Sequence, residues 1–170
     1  MAADNPQLLL VDDDVQCLSV RRMLFEAFKF RVVTCTNPKQ ALRLYKLQHF
    51  DAAVIDFQMP EMNGGELAKA MKETHPGTPV VILSGLPYLP EDTPVFYDRF
   101  YCKTEPGFKI VKEVQGLVEN SDHNDGNGHP VGWSARVMAA AGIVVGMATE
   151  AGKKVLPSTK PLTASNLTAS

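Results

Sequence analysis

Apolar residues along this chain fall into short unbroken runs separated by longer stretches of helical spacing. Leu8–Val11, Val32–Thr34, Ala52–Ile55, Val80–Leu83 and Phe100–Cys102 are the runs. Three or four consecutive apolar or β-branched residues fit strands buried on both faces. Between them, Cys17, Val20, Leu24, Ala27 and Phe28 recur with the period of a helix, and Ala41, Leu44 and Tyr45 do so behind an Asn37-Pro38 start. Leu67, Ala70 and Met71 mark a third helix, and Ile110, Val111, Val114, Leu117 and Val118 a wide stripe on a last one. Strands alternating with helices predict βαβ units, hence an α/β fold with a doubly wound parallel five-stranded sheet. One slot breaks the pattern. Between Ser84 and Phe100 stand Pro87, Pro90 and Pro94. Proline removes a backbone donor and breaks a helix interior, so the fourth helix is expected to be short or missing.

Past about residue 120 the periodicity stops. The pattern predicts one domain over residues 1–120 and a flexible linker over 121–130, "NSDHNDGNGHP" being polar and aperiodic. An apolar helix of unknown role is expected over 131–156, and a polar, disordered tail over 157–170. The apolar core of the 131–156 segment, Val137–Ala148, is shorter than the roughly twenty residues of a spanning helix. Its Gly142 and Gly146 have the spacing that lets helices approach closely. Weak membrane contact, self-association, packing on the domain and a mostly unstructured extension are the readings open to it.

Composition changes the picture by exclusion. A net charge of −2 shows no nucleic-acid-binding balance, so no nucleic-acid partner is expected. Cys17, Cys35 and Cys102 lack the spacing of a metal site or a disulfide framework and read as reduced thiols. The polar start, "MAADNPQ", shows no signal-peptide pattern. A cytoplasmic protein is expected, with membrane association through the C-terminal apolar segment as the alternative.

The candidate chemistry lies where the apolar runs end. In an open parallel sheet ligands bind outside the carboxyl ends of the strands. The first run ends on Asp12-Asp13-Asp14, the third on Asp56, the fourth on Ser84 and the fifth on Lys103. Clustered carboxylates repel one another and persist if a divalent cation binds, and hard oxygen ligands suit Mg²⁺. A carboxylate can itself attack phosphorus and become an aspartyl-phosphate. Phosphoryl transfer needs positive charge on the equatorial oxygens, which Lys103 and a metal would supply, while the Ser84 hydroxyl can hydrogen-bond the arriving group.

Four strings, "LLLVDDD", "VIDFQMPEMNGGEL", "VVILSG" and "FYCK", stand in this order within about residues 6–120. Together they resemble the motifs of response-regulator receiver domains. The resemblance implies a (βα)5 fold with strand order 2-1-3-4-5. It implies Asp56 as phosphoacceptor, served by a histidine kinase or phosphotransfer protein and read by an unknown downstream protein through protein–protein contact. It implies Mg²⁺ held by Asp12, Asp13, Asp56 and the backbone carbonyl of Gln58. Ser84 and Lys103 match the phosphate-binding hydroxyl and lysine, and Phe100 the switch aromatic. Asp14 is expected to cap the first helix instead. Thr104 stands where the family usually has proline, and is expected to cap the last helix with Pro106 in its first turn. On this reading the protein is not an enzyme beyond autodephosphorylation. The alternatives are a haloacid-dehalogenase-like phosphatase with Asp12 as nucleophile, and a receiver-like scaffold that is never phosphorylated. Gln16, and the lack of an acidic pair after Lys103, weigh against the phosphatase.

Overall fold

Five parallel strands lie side by side in the order β2-β1-β3-β4-β5. The computed structural model describes residues 5–122. In chain order these form β1 (Gln7–Val11), α1 (Val15–Ala27), β2 (Arg31–Cys35), α2 (Pro38–Leu47), β3 (Ala52–Asp56), α3 (Gly64–Thr74), β4 (Val80–Ser84), β5 (Arg99–Cys102) and α4 (Gly107–Asp122). The linker, apolar segment and tail expected beyond residue 122 lie outside the described residues. α4 itself continues to Asp122, so residues 121 and 122, expected to begin the linker, are still helical.

Both faces of the sheet are covered, as the unbroken apolar runs require. The alternation along each strand divides the core in two. Leu9, Val11, Ala53, Ile55 and Ile82 pack with Ala41 and Tyr45 of α2 and Leu67 and Met71 of α3. Leu8, Leu10, Val54, Val81 and Leu83 pack on the other face with Leu18 and Phe25 of α1 and Ile110, Val111 and Val114 of α4. α1 faces inward over an edge shifted from the expected one, Leu24 and Phe28 of the expected stripe packing against the core and Val20 and Ala27 not. Leu18 and Phe25 are buried, whereas Val20 is 62% exposed and Ala27 is also exposed. Apolar residues occur on every turn of this helix, so periodicity alone did not fix its phase.

The helix starts are written in side chains. Asp14 accepts from the backbone N–H groups of Gln16 and Cys17 at 2.8 and 3.2 Å, which caps α1 as expected. Asn37 caps α2 through the Gln40 N–H, at 3.0 Å. At α3, Asn63 and Glu66 exchange side-chain-to-backbone bonds at 2.9 and 3.0 Å, a reciprocal capping box.

No helix forms between β4 and β5, in line with the prolines there. The segment instead lies over the start of α3. A Cβ added to Gly65 would meet the Thr93 methyl at 2.8 Å and Pro94 Cδ at 3.5 Å. Leu89 and Tyr97 pack against the core on the α2/α3 side. Its far end is tied by a buried ion pair. Lys72 Nζ is 2.7 Å from Asp98 Oδ2, which also accepts the Val80 N–H at 2.8 Å. Burial pushes the Lys72 ammonium below its ordinary pKa, and Asp98 works against that fall.

Gly64 opens α3 hard against the end of β3, its N–H donating to the Phe57 carbonyl at 2.9 Å. A Cβ there would strike the Asp56 carbonyl oxygen and come within 2.9 Å of Phe57 Cα. Gly64→Ala is therefore expected to destabilise the protein by about 1–3 kcal/mol, seen as a fall of roughly 5–10 °C in Tm. Gly116, in α4, has open space where a Cβ would go. Gly116→Ala is expected to stabilise by up to about 1 kcal/mol. Equal thermal shifts for the two variants would contradict the close approach at Gly64.

Candidate active site at the strand ends

Strand register brings the polar run-ends together. Val11 pairs with Ile55, Asp56 with Leu83, and Ser84 with Cys102, so the residues closing each strand share one level. Asp12 follows β1, Asp56 ends β3, Ser84 ends β4 and Lys103 follows β5. Carboxylate oxygens of Asp12, Asp13 and Asp56 lie within 4.8 Å of one another. Asp12 and Asp56 are buried, at 2% and 3% exposure, and Asp13 is exposed.

One lysine bridges the buried pair. Lys103 Nζ is 3.0 Å from Asp12 Oδ2 and 2.8 Å from Asp56 Oδ1. The contact with Asp56 is an ion pair outside the directions of a hydrogen bond, and Asp56 Oδ1 has no directed donor although it is buried. Burial raises the Asp56 carboxyl above its ordinary pKa; Lys103 pulls it back, and Asp12 and Asp13 add to the rise. For Lys103, burial acts downward, but the contacts with Asp56 and Asp12 outweigh it and hold the ammonium above its ordinary value. A crowded set of acids with one underused, buried oxygen fits a divalent cation by its donor chemistry.

The remaining expected residues fall nearby. The buried Ser84 hydroxyl accepts the Leu86 N–H at 3.0 Å, and the Ser84 carbonyl accepts the Lys103 N–H at 2.6 Å. The second bond seats the lysine at the sheet edge. Phe100, three residues before Lys103, is half-buried against the α2/α3-side core. Gln58 is exposed on the loop after Asp56, its side-chain oxygen 3.7 Å from where a Cβ on Gly85 would stand. Thr104 departs from expectation. Its hydroxyl donates to Cys102 Sγ at 3.1 Å, while the Pro106 carbonyl accepts the Lys109 and Ile110 N–H groups in the first turn of α4, at 2.9 and 3.4 Å. Thr104 stands three residues ahead of the helix and turns back toward the strand it has just left.

Arg21 completes the cluster and was not foreseen. Its Nη1 lies 2.6 Å from Asp12 Oδ2. Among arginines on an outer helix, a single inward-reaching one has no sequence mark. The clue available was its position on α1, two turns along the helix that begins right after the acids. A groove of about 380 Å³ opens beside it, lined by Asp14, Cys17, Arg21, Leu24, Lys103 and Gly107. Larger hollows of about 440 and 520 Å³ lie at the other end of the sheet, around Phe50, Asp51 and Thr78 and around Pro6, Phe30 and Arg31, away from this chemistry.

Comparison with known proteins agrees with the fold. Residues 8–90 match the family described as the response regulator receiver domain. The chain is 33% identical over 95 residues to the transcriptional regulatory protein ZraR of Klebsiella oxytoca, covering 56% of this chain and 21% of that protein. It thus spans about a fifth of the length of that relative. Among solved structures, the Francisella response regulator 1452 receiver domain is 27% identical with a TM-score of 0.61, covering 68% of this chain and 98% of that one. The receiver domain of the Pseudomonas aeruginosa PAO1 sensor histidine kinase PA1611, solved with magnesium coordinated in its active-site cleft, has a TM-score of 0.61 at 19% identity, covering 68% and 98%.

The raised Asp56 pKa sets a stability prediction. A carboxyl whose folded pKa lies above its unfolded one favours folding below the unfolded value, and that benefit is lost as pH rises through the folded value. At neutral pH the buried, ionised Asp56 therefore burdens the metal-free protein. Asp56→Asn is expected to raise Tm in EDTA by a few degrees near pH 7, the gap shrinking as pH falls toward the ordinary 3.8. Thermal melts across pH check this, and a neutral-pH loss of stability would contradict it.

Proposed function

Residues 8–90 belong to the response regulator receiver domain family, and on that premise we propose that the chain is a phosphorylation-dependent signalling switch accepting a phosphoryl group on Asp56. The observation that supports it best is the Asp56 carboxylate itself. It is buried, 2.8 Å from Lys103, short of directed donors, and set among two more acids at the ligand-binding edge of the sheet.

On this reading Asp12, Asp13, Asp56 and the main-chain carbonyl of Gln58 would hold Mg²⁺. The metal, when bound, would neutralise phosphoryl oxygens and the acids beside them. An Asp56 carboxylate oxygen attacks phosphorus in line, a P–O bond forms, and the bond from phosphorus to the donor's leaving group breaks. Lys103, already within reach of Asp56, pairs with an equatorial phosphoryl oxygen. Ser84 gives its hydroxyl hydrogen to another, leaving its present contact with the Leu86 N–H. Phe100 then follows inward, and the two arrangements differ in population according to phosphorylation. Loss of the phosphoryl group to water is the only turnover this mechanism includes.

The phosphoryl donor on this reading is a histidine kinase or phosphotransfer protein, which places the chain in the cytoplasm. The output is contact with a downstream protein. The proline-rich segment over α3 gives that output a surface unlike a helix, since it presents Pro87, Tyr88 and Pro90 where a fourth helix would stand. Tyr88 is 73% exposed there. The phosphatase reading is disfavoured by the state of Asp12. Its Oδ2 is held by Arg21 and Lys103 at 2.6 and 3.0 Å and its Oδ1 by the Asp14 N–H at 3.0 Å, so three donors occupy three of its roughly four lone-pair sites and blunt it as a nucleophile.

Incubation with a small phosphoryl donor and Mg²⁺ tests the proposal. Wild type is expected to take up one acid-stable, base-labile phosphoryl group, and Asp56→Asn to lose uptake by at least about 10²-fold, as removal of a nucleophile does. Unlabelled wild type would sink the switch, and label persisting in Asp56→Asn would move the acceptor elsewhere.

A further inference from the structure

Arg21 has no part in the mechanism above, yet it makes one of the shortest ion pairs in the described structure. Nη1 stands 2.6 Å from Asp12 Oδ2, and the two side chains are only 17% and 3% exposed. A pair so shielded is screened little by salt. The guanidinium is charged at every relevant pH, so no change of pH releases it.

The carboxylate it holds belongs to the acid cluster that could ligate a metal. Asp12 Oδ2 already carries Lys103 at 3.0 Å, and Asp12 Oδ1 is taken by the Asp14 N–H at 3.0 Å. A Mg²⁺ ion sits about 2.1 Å from each ligand oxygen. A guanidinium and a dication cannot both stay that close to one carboxylate, because the two cations repel at short range. The fold gives Arg21 somewhere to go. The groove of about 380 Å³ beside it, between α1 and the start of α4, leads outward past Val20 and Leu24. Swinging into it needs only side-chain rotation.

We infer that Arg21 is a built-in counter-cation that competes with the divalent metal for Asp12, and so sets the metal concentration at which Asp56 can accept a phosphoryl group. This rests on the metal reading of the acid cluster given above. Without metal, Arg21 and Lys103 together balance two of the three acid charges. When metal enters, Arg21 leaves Asp12 and Lys103 remains for the phosphoryl oxygens. Arg21 is a positioning residue by this account, since it acts on the metal through Asp12.

Calorimetric titration of MgCl₂ into the full chain, as wild type, Arg21→Gln and Arg21→Met, tests the inference. Both variants remove the charge, and methionine keeps the apolar stem should glutamine impair folding. Each is expected to bind Mg²⁺ roughly tenfold more tightly than wild type, the effect of freeing a shielded carboxylate from one ion-pair partner. The same tightening is expected as a larger rise of Tm on adding MgCl₂. A purely structural arginine would lower Tm equally with and without metal and leave the Mg²⁺ affinity unchanged. Wild type that binds Mg²⁺ with variants of equal or weaker affinity overturns the inference and leaves the metal reading standing. No binding by any of the three proteins overturns both.

Discussion

Three carboxylates confined within 4.8 Å at the end of a parallel sheet are the constraint on which the rest depends. Two of them are buried, so water does little to weaken their repulsion. The protein answers with fixed positive charge, Lys103 across two acids and Arg21 on one. That leaves the cluster short of cations and Asp56 short of donors. A site in this condition is prepared for something positive to enter and for something anionic to be stabilised once it has.

The surrounding fold serves that placement. Unbroken apolar strands hold Asp12 and Asp56 level across β1 and β3, and the Ser84 carbonyl fixes the backbone of Lys103 beside them. The loop after Asp56 must turn at once into α3. Gly64 permits this because its backbone packs directly on Asp56 and Phe57, and the Asn63–Glu66 box closes the helix start. At the opposite end, the buried Lys72–Asp98 pair joins α3 to the beginning of β5. The proline-rich segment is thereby anchored at both ends. It starts after Ser84, whose hydroxyl accepts the Leu86 N–H, and finishes at Asp98.

Much of this was legible in the residues. Strands buried on both faces leave continuous apolar runs, so their ends, and the polar residues standing there, could be placed to within a residue. Asp12, Asp13, Asp56, Ser84 and Lys103 were found that way, and the ordered motifs supplied the strand order. The three prolines between Ser84 and Phe100 announced the missing helix. What escaped were features that depend on side-chain reach or rotation. The phase of α1 was only partly read, because its apolar residues surround it: Leu24 and Phe28 pack on the core as expected, but packing also selects Leu18 and Phe25. Arg21 carries no mark in the sequence that sets it apart from its neighbour Arg22. Lys72 carries no mark in the sequence, because its partner Asp98 stands 26 positions away and meets it only after the sheet has formed. Thr104 was read as a cap from its type, whereas its hydroxyl turned to the nearer Cys102 sulfur.

Backbone amide NMR of the full chain, first with MgCl₂ and then with beryllofluoride as a stand-in for the phosphoryl group, tests the central claim most directly. The account predicts that Mg²⁺ moves signals of residues 12–14, 21 and 56–58, and that beryllofluoride then moves those of 84–86 and 100–103 and of the proline-rich segment. Asp56→Asn should abolish the second set. Beryllofluoride shifts that survive Asp56→Asn, or that miss Ser84 and Lys103, would contradict it.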